Sequence, residues 1–261
     1  MTIHLFLLFL CILVLGEIGF PARAFNNCGT QSTSTHLADF LNLDMPLPSD
    51  ADIRRDENNE TIIFLRGDNL SEGMEGDQNF RMLQSKNSLA EITLAYLTAH
   101  RSAFKLMRPS QELSVSSVTT DDLGLTHIKF QQVFESIPVW ASEIIVHLNQ
   151  ANQVVLMQGR YIPTPENVAT RPVLNEGQAF RMVAEDLKNI GPDCRNCRSE
   201  LIIFAQSEGG PRLAYRVLAP LSVPEGWAYV IDAETGEILE KLPTVYNGGV
   251  SPMQIKERRI D

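Results

Sequence analysis

The amino-acid sequence predicts an α+β protein made of two consecutive blocks, each a helix packed on an antiparallel sheet. Over 124–147 the chain reads as two strands around a short break, with apolar and polar residues alternating in the period of two that half-buried strands require. Upstream, 89–104 carries apolar residues at helical spacing. Downstream of a proline-rich stretch over 163–172, the order of one helix and then several strands starts again.

In the first block, 61–66 reads as a strand closed by Gly67-Asp68-Asn69, and 71–77 as a loop. The helix over 89–104 has Ser88 and Glu91 in capping-box relation: the hydroxyl can accept the third backbone amide while the carboxylate returns to the cap's own N–H. Leu89, Ile92, Tyr96, Ala99 and Ala103 line its apolar face, and Arg108-Pro109 stops it. A strand over 112–118 leads through Asp121-Asp122 into the hairpin. There Ile128, Phe130 and Phe134 share one parity and His127, Lys129 and Gln131 the other. The break falls at Ser136 to Pro138, the second strand over 143–148 puts Ile144, Val146 and Leu148 on one face, and 153–162 adds a last strand.

In the second block, Asn175 and Gln178 form a cap pair for a helix whose face holds Ala179, Phe180, Val183 and Leu187, stopped by Gly191-Pro192. Strands follow over 201–205, 213–218, 227–231 and 237–241, separated by glycine-bearing turns. The division expected is a signal peptide over 1–24, a polar arm over 25–59, a first domain over 60–163, a linker over 164–172, a second domain over 173–242 and a tail over 243–261.

Residues 3–15 form an apolar run too short for a comfortable membrane span, and Ala22-Arg23-Ala24 supplies the small-x-small pattern of a signal-peptidase site. Cleavage is expected between Ala24 and Phe25, placing the chain outside the cytoplasm, secreted or periplasmic, with no membrane attachment afterwards; an uncleaved membrane anchor is the alternative. The net charge is −10, and Glu17 and Arg23 cancel in the removed segment. Without a Lys/Arg cluster, this acidity supports neither nucleic-acid binding nor adhesion to anionic lipid.

The wording Gly-Leu-Thr-His-Ile-Lys-Phe-Gln-Gln from Gly124, then Ile-Pro-Val-Trp from Ile137, then Ser-Glu-Ile-Ile-Val-His from Ser142, resembles the FTP module. That module is the fungalysin/thermolysin propeptide domain, which precedes the catalytic part of secreted zinc metallopeptidases. Arg212-Leu-Ala-Tyr-Arg-Val217, with the run from Trp227 to Leu239, resembles a PepSY module. FTP followed by PepSY is the order of thermolysin-like prosegments. The resemblance implies two cystatin-like modules and a secreted thermolysin-like metallopeptidase as partner.

A thermolysin-like enzyme holds zinc with His-Glu-x-x-His, two imidazoles one helical turn apart and a glutamate to activate water. No His-Glu pair occurs in the chain. No catalytic residue, metal ligand or cofactor is therefore expected. His127 and His147 sit on strands that pair, but a third ligand is not evident, and ordinary sheet residues are the reading. Cys194-Arg-Asn-Cys197 in an exported chain reads as a local disulfide; thiol exchange through the same pair is the enzymatic alternative. Cys28 is left odd. The carboxylates of Asp121-Asp122, 72–77 and Asp232 to Glu234 lack the alternation of a calcium loop and read as turn residues. Trp140 and Trp227 read as core or rim.

Three readings follow. The chain is a non-catalytic prosegment-like protein that binds a metallopeptidase as inhibitor or folding aid; or a precursor lacking its catalytic part; or a secreted binding module for an unrelated partner. In the first, the segment from Leu242 onward is expected to occupy the peptidase cleft.

Overall fold

The computed structural model describes residues 44–187, 194, 196–205, 209–222 and 225–245. The expected signal segment, the cut between Ala24 and Phe25, most of the polar arm, Gly191-Pro192 and the tail beyond Val245 lie outside the described residues.

Among the described residues, two short strands, β1 (Asp52–Arg55) and β2 (Ile62–Arg66), come first. Helices α1 (Gln78–Ser85), α2 (Leu89–Ala99), α3 (Arg101–Phe104) and α4 (Pro109–Glu112) follow, then the meander β3 (Leu113–Thr120), β4 (Thr126–Phe134), β5 (Ile137–Leu148) and β6 (Val154–Arg160). Helix α5 (Glu176–Leu187) precedes β7 (Arg198–Phe204), β8 (Arg212–Ser222), β9 (Glu225–Asp232) and β10 (Ile238–Val245). The protein is α+β, and its strands pair antiparallel except where Val139 of β5 meets Ile203 of β7. Through that bridge the strands form one hydrogen-bonded set, β1-β2-β6-β5-β7-β8-β9-β10, with β3 and β4 branching from β5.

Two helix-covered cores lie along this sheet. In one, Ile92 and Tyr96 of α2 pack with Ile128 and Phe130 of β4, Ile144 and Val146 of β5 and Met157 of β6, all fully buried. In the other, Ala179, Val183 and Leu187 of α5 face Ile203, Val217, Tyr229 and Ile231. Each Val, Leu, Ile, Phe or Met side chain among these contributes about 1.5 to 3 kcal/mol on burial, so these stripes decide where the helices sit. Val139 of β5 belongs to the second core while Ile144 belongs to the first.

Several local expectations change. The helix expected over 89–104 breaks at His100, whose ring Nδ1 bonds the Met45 carbonyl at 3.0 Å while the Met45 N–H donates to Ala99 O at 2.6 Å. A distant segment thus ends the helix. The Ser88–Glu91 capping box is absent: Ser88 makes no side-chain cap bond, and its N–H already donates to Leu83 O at 3.0 Å, leaving Glu91 nothing to reach. The Asn175–Gln178 pair is present and reciprocal, at 2.8 and 3.0 Å.

Helix α1 escapes sequence reading. Asp77 caps it, accepting from Asn79 and Phe80 at 2.7 and 2.9 Å. Strand β1 also escapes, because all four of its residues are exposed and no alternation marks it. The stretch over 164–172 is tied down rather than free: Thr164 N–H donates to Lys105 O, and Thr170 Oγ1 to Glu135 Oε2. Strand β10 runs to Val245, so Pro243 and Thr244, read as tail, are paired strand.

Candidate functional site

The hairpin of β4 and β5 carries a connected network of polar side chains. Its turn is Glu135-Ser136, both with positive φ (47° and 70°), which makes a two-residue hairpin, and Pro138 lies inside β5 opposite Val133. The break expected at Ser136 to Pro138 therefore shifts by one residue. Ala141, at φ 56°, and a register shift between Gln131 and Val133 bend the pair. The Gln131 side chain fills the bend by donating to Val139 O and Ser142 O, at 2.8 and 2.9 Å. Gln132, fully buried, holds Ile162 through both its amide nitrogen and its oxygen. The two glutamines thus have structural roles that the sequence did not assign.

On the sheet face away from α2, His127 stands directly opposite His147. Their Nδ1 atoms are 2.6 Å apart and their rings meet edge to face. His127 Nε2 lies 3.1 Å from Asp121 Oδ2, and Asp121 Oδ1 accepts the Leu123 and Leu125 amides at 2.9 Å. Those bonds, that of Leu125 foremost, hold the Asp121 carboxyl below its ordinary value. Burial, aided by charge on His127 and opposed by Asp121, pushes His147 down to about 4. Further along the same face, Lys129, opposite Ile145, reaches diagonally to Glu143, opposite Gln131, in an ion pair of 2.7 Å.

The remaining expected site residues are dispersed. Cys194 and Cys197 are joined, with Cα atoms 4.9 Å apart. Asp77 caps α1, and Glu75 accepts from Asn69 and Gln153. Asp232 accepts from the Glu234 and Thr235 amides of its own turn and from Arg212. Among the described residues no three His, Cys, Asp or Glu side chains converge as a metal site. Trp140 lies under the Arg216 guanidinium at 4.3 Å, and Trp227 under Lys241 at 4.6 Å. Unforeseen in the sequence is the tie between Tyr229 OH, Asp186 and Lys241, with oxygen and nitrogen contacts of 2.7 and 2.5 Å, which fastens α5 to β9 and β10. Burial, with the Asp186 bond, raises the Tyr229 phenol to about 12.

Residues 111–161, the span from the end of α4 through β6, match the Fungalysin/Thermolysin Propeptide Motif. The chain carries an FTP motif. Bacillolysin of Bacillus amyloliquefaciens is 29% identical over 197 residues, which cover 69% of this chain and 38% of its own length. Thermolysin of Alicyclobacillus acidocaldarius subsp. acidocaldarius is 30% identical over 172 residues, covering 61% of this chain and 31% of its own. The chain spans about a third of the length of the curated relatives it matches. The Bacillus megaterium YpeB C-terminal domain aligns over 83% of this chain and 98% of its own at 12% identity, with a TM-score of 0.34. The FTP motif falls on the hairpin with its two glutamines and two histidines, all of them committed to internal hydrogen bonds.

Proposed function

We propose that this protein is a secreted, non-catalytic prosegment-like chain that binds a thermolysin-like metallopeptidase as inhibitor, folding aid, or both. The observation that carries the reading is the FTP motif over 111–161, set within a longer similarity to bacillolysin and thermolysin. Residues 60–163 are read as the FTP module, 173–242 as a PepSY-like second module, and 1–24 as a signal peptide cut between Ala24 and Phe25. The Cys194–Cys197 bond serves as a local tie.

A protein needs no catalytic group for this work. Binding the folded peptidase but not its unfolded chain stabilises the folded form by mass action, and covering the cleft excludes substrate. The exposed strand faces supply the docking surface, and the segment that follows Val245, where β10 ends, enters the cleft. Mixing the purified protein with a thermolysin-like metallopeptidase tests this. The expected result is a dose-dependent slowing of peptide hydrolysis or a higher yield of active peptidase on refolding. Neither effect at a several-fold molar excess rejects the proposal.

A further inference from the structure

Asp121, His127 and His147 lie in a line at the end of the sheet where the β3–β4 turn approaches the β5–β6 turn. Gln150 Nε2, in the second turn, donates to Leu123 O, in the first, at 3.3 Å. Geometry decides how many protons the line can hold. The carboxylate of Asp121 accepts, so His127 presents an N–H at Nε2. Between the two Nδ1 atoms, 2.6 Å apart, there is room for one proton. With both rings neutral, His147 donates from Nδ1 and keeps a bare lone pair on Nε2. With His127 cationic, His127 donates from Nδ1, and His147 must carry its own proton on Nε2. That Nε2 atom is buried and finds no hydrogen-bond partner among the described residues, so an N–H there is costly. With both rings cationic, two N–H groups would point at each other and two positive charges would adjoin, and the contact cannot persist.

We propose that Asp121, His127 and His147 form an acid-released latch: near neutral pH it ties the β3–β4 turn to the end of β5, and proton uptake by the imidazoles frees that end of the sheet. Apart from Asp121, the surroundings supply nothing that would hold the charged form together. Opposite His127 on β3 stands Thr119, and opposite His147 on β6 stands Leu156, neither of them ionisable. Beyond Leu156, Arg66 of β2 stands in the same row, adding positive charge, and is 3.8 Å from Asp52 of β1. Lys129 of β4 and Glu143 of β5 satisfy each other, and Arg160 of β6 pairs in register with Glu143. Asp121 is the carboxylate in contact with the line, and it touches His127 alone of the two rings. The low affinity of the buried His147 ring for protons agrees with this reading. The latch does not depend on any peptidase partner.

Nitrogen-15 NMR of the whole protein, with amide hydrogen exchange, tests the latch. At pH 8 the His147 ring is expected to carry its proton on Nδ1 and none on Nε2. Between pH 7 and pH 4.5, after correction for intrinsic exchange chemistry, amides over 126–128 and 146–148 are expected to lose about tenfold protection relative to those of β9, a tenfold change being about 1.4 kcal/mol. In His147→Phe, with His147→Leu as a second choice, that local acid sensitivity disappears. The proposal is overturned if His147 holds its proton on Nε2 at pH 8, or if a folded variant loses protection as the native chain does. Should neither variant fold, the ring tautomer and the native exchange profile decide.

Discussion

Helix α2 is buried along most of its length, from Ile92 to Ala99, whereas α5 buries one stripe, Ala179, Val183 and Leu187. Their ends differ in the same sense. The start of α2 is set by a backbone bond to α1 and its end by the segment at Met45, both from outside the helix. Helix α5 begins with its own reciprocal cap and is fastened by its own Asp186 to Tyr229 and Lys241. A helix enclosed on most sides can take its boundaries from its neighbours, while one lying on a sheet beside solvent must carry its own. The contrast predicts where substitutions will hurt.

The largest effect is expected in the enclosed helix. Leu97→Ala should cost about 4 kcal/mol and Leu187→Ala about 2 to 3, because a surrounded cavity collapses less readily than one at an open face. Urea unfolding of both variants checks this, and equal losses would remove the contrast.

Acid should separate the two regions next. His147 is a base whose folded pKa, about 4, lies below the ordinary 6.5, so between those values the unfolded chain binds the extra proton. Its contribution is intact above about pH 6.5 and is lost as pH falls toward 4, up to about 3 kcal/mol. His100, also lowered by burial, acts with the same sign. Asp186 and Asp232 are depressed carboxylates, the first by its Lys241 bond and the second by backbone amides and Arg212, against its burial. Their contribution is present above their ordinary value and is lost only as pH falls through the lower folded one. Amide exchange should therefore rise in β4 before it rises in β9 on acidification.

Asp186→Ala should cost about 1 kcal/mol, discounted because the carboxylate is one-third exposed, and should loosen α5 without moving α2, as calorimetry and exchange will show. The smallest pair concerns the caps. Asn175→Ala is expected to cost about 1 kcal/mol and Ser88→Ala less than about 0.5, since only the first breaks a cap bond. Thermal unfolding of the two variants measures the difference.

The same contrast explains what could be read from the sequence. The hairpin, the strands after α5 and the Asn175–Gln178 cap were legible because each is written in neighbouring residues: alternation, glycine-bearing turns, a cap at a spacing of three. The break at His100, strand β1 and the bend at Ala141 were not, because their causes are remote. Met45 ends α2, β2 makes β1 a strand, and a glutamine on the facing strand accommodates Ala141. Within the candidate site, the facing histidines were legible as a possible pairing. Asp121 was not, since nothing in its spacing says that its second oxygen meets a ring.

Strand β5 places Val139 in one core and Ile144 in the other, and its backbone pairs with β4, β6 and β7. A protease that nicked the chain between Glu166 and Thr170 would cut the covalent path between the cores and leave this shared strand whole. The two fragments should then migrate as one particle on a sizing column and separate only in denaturant.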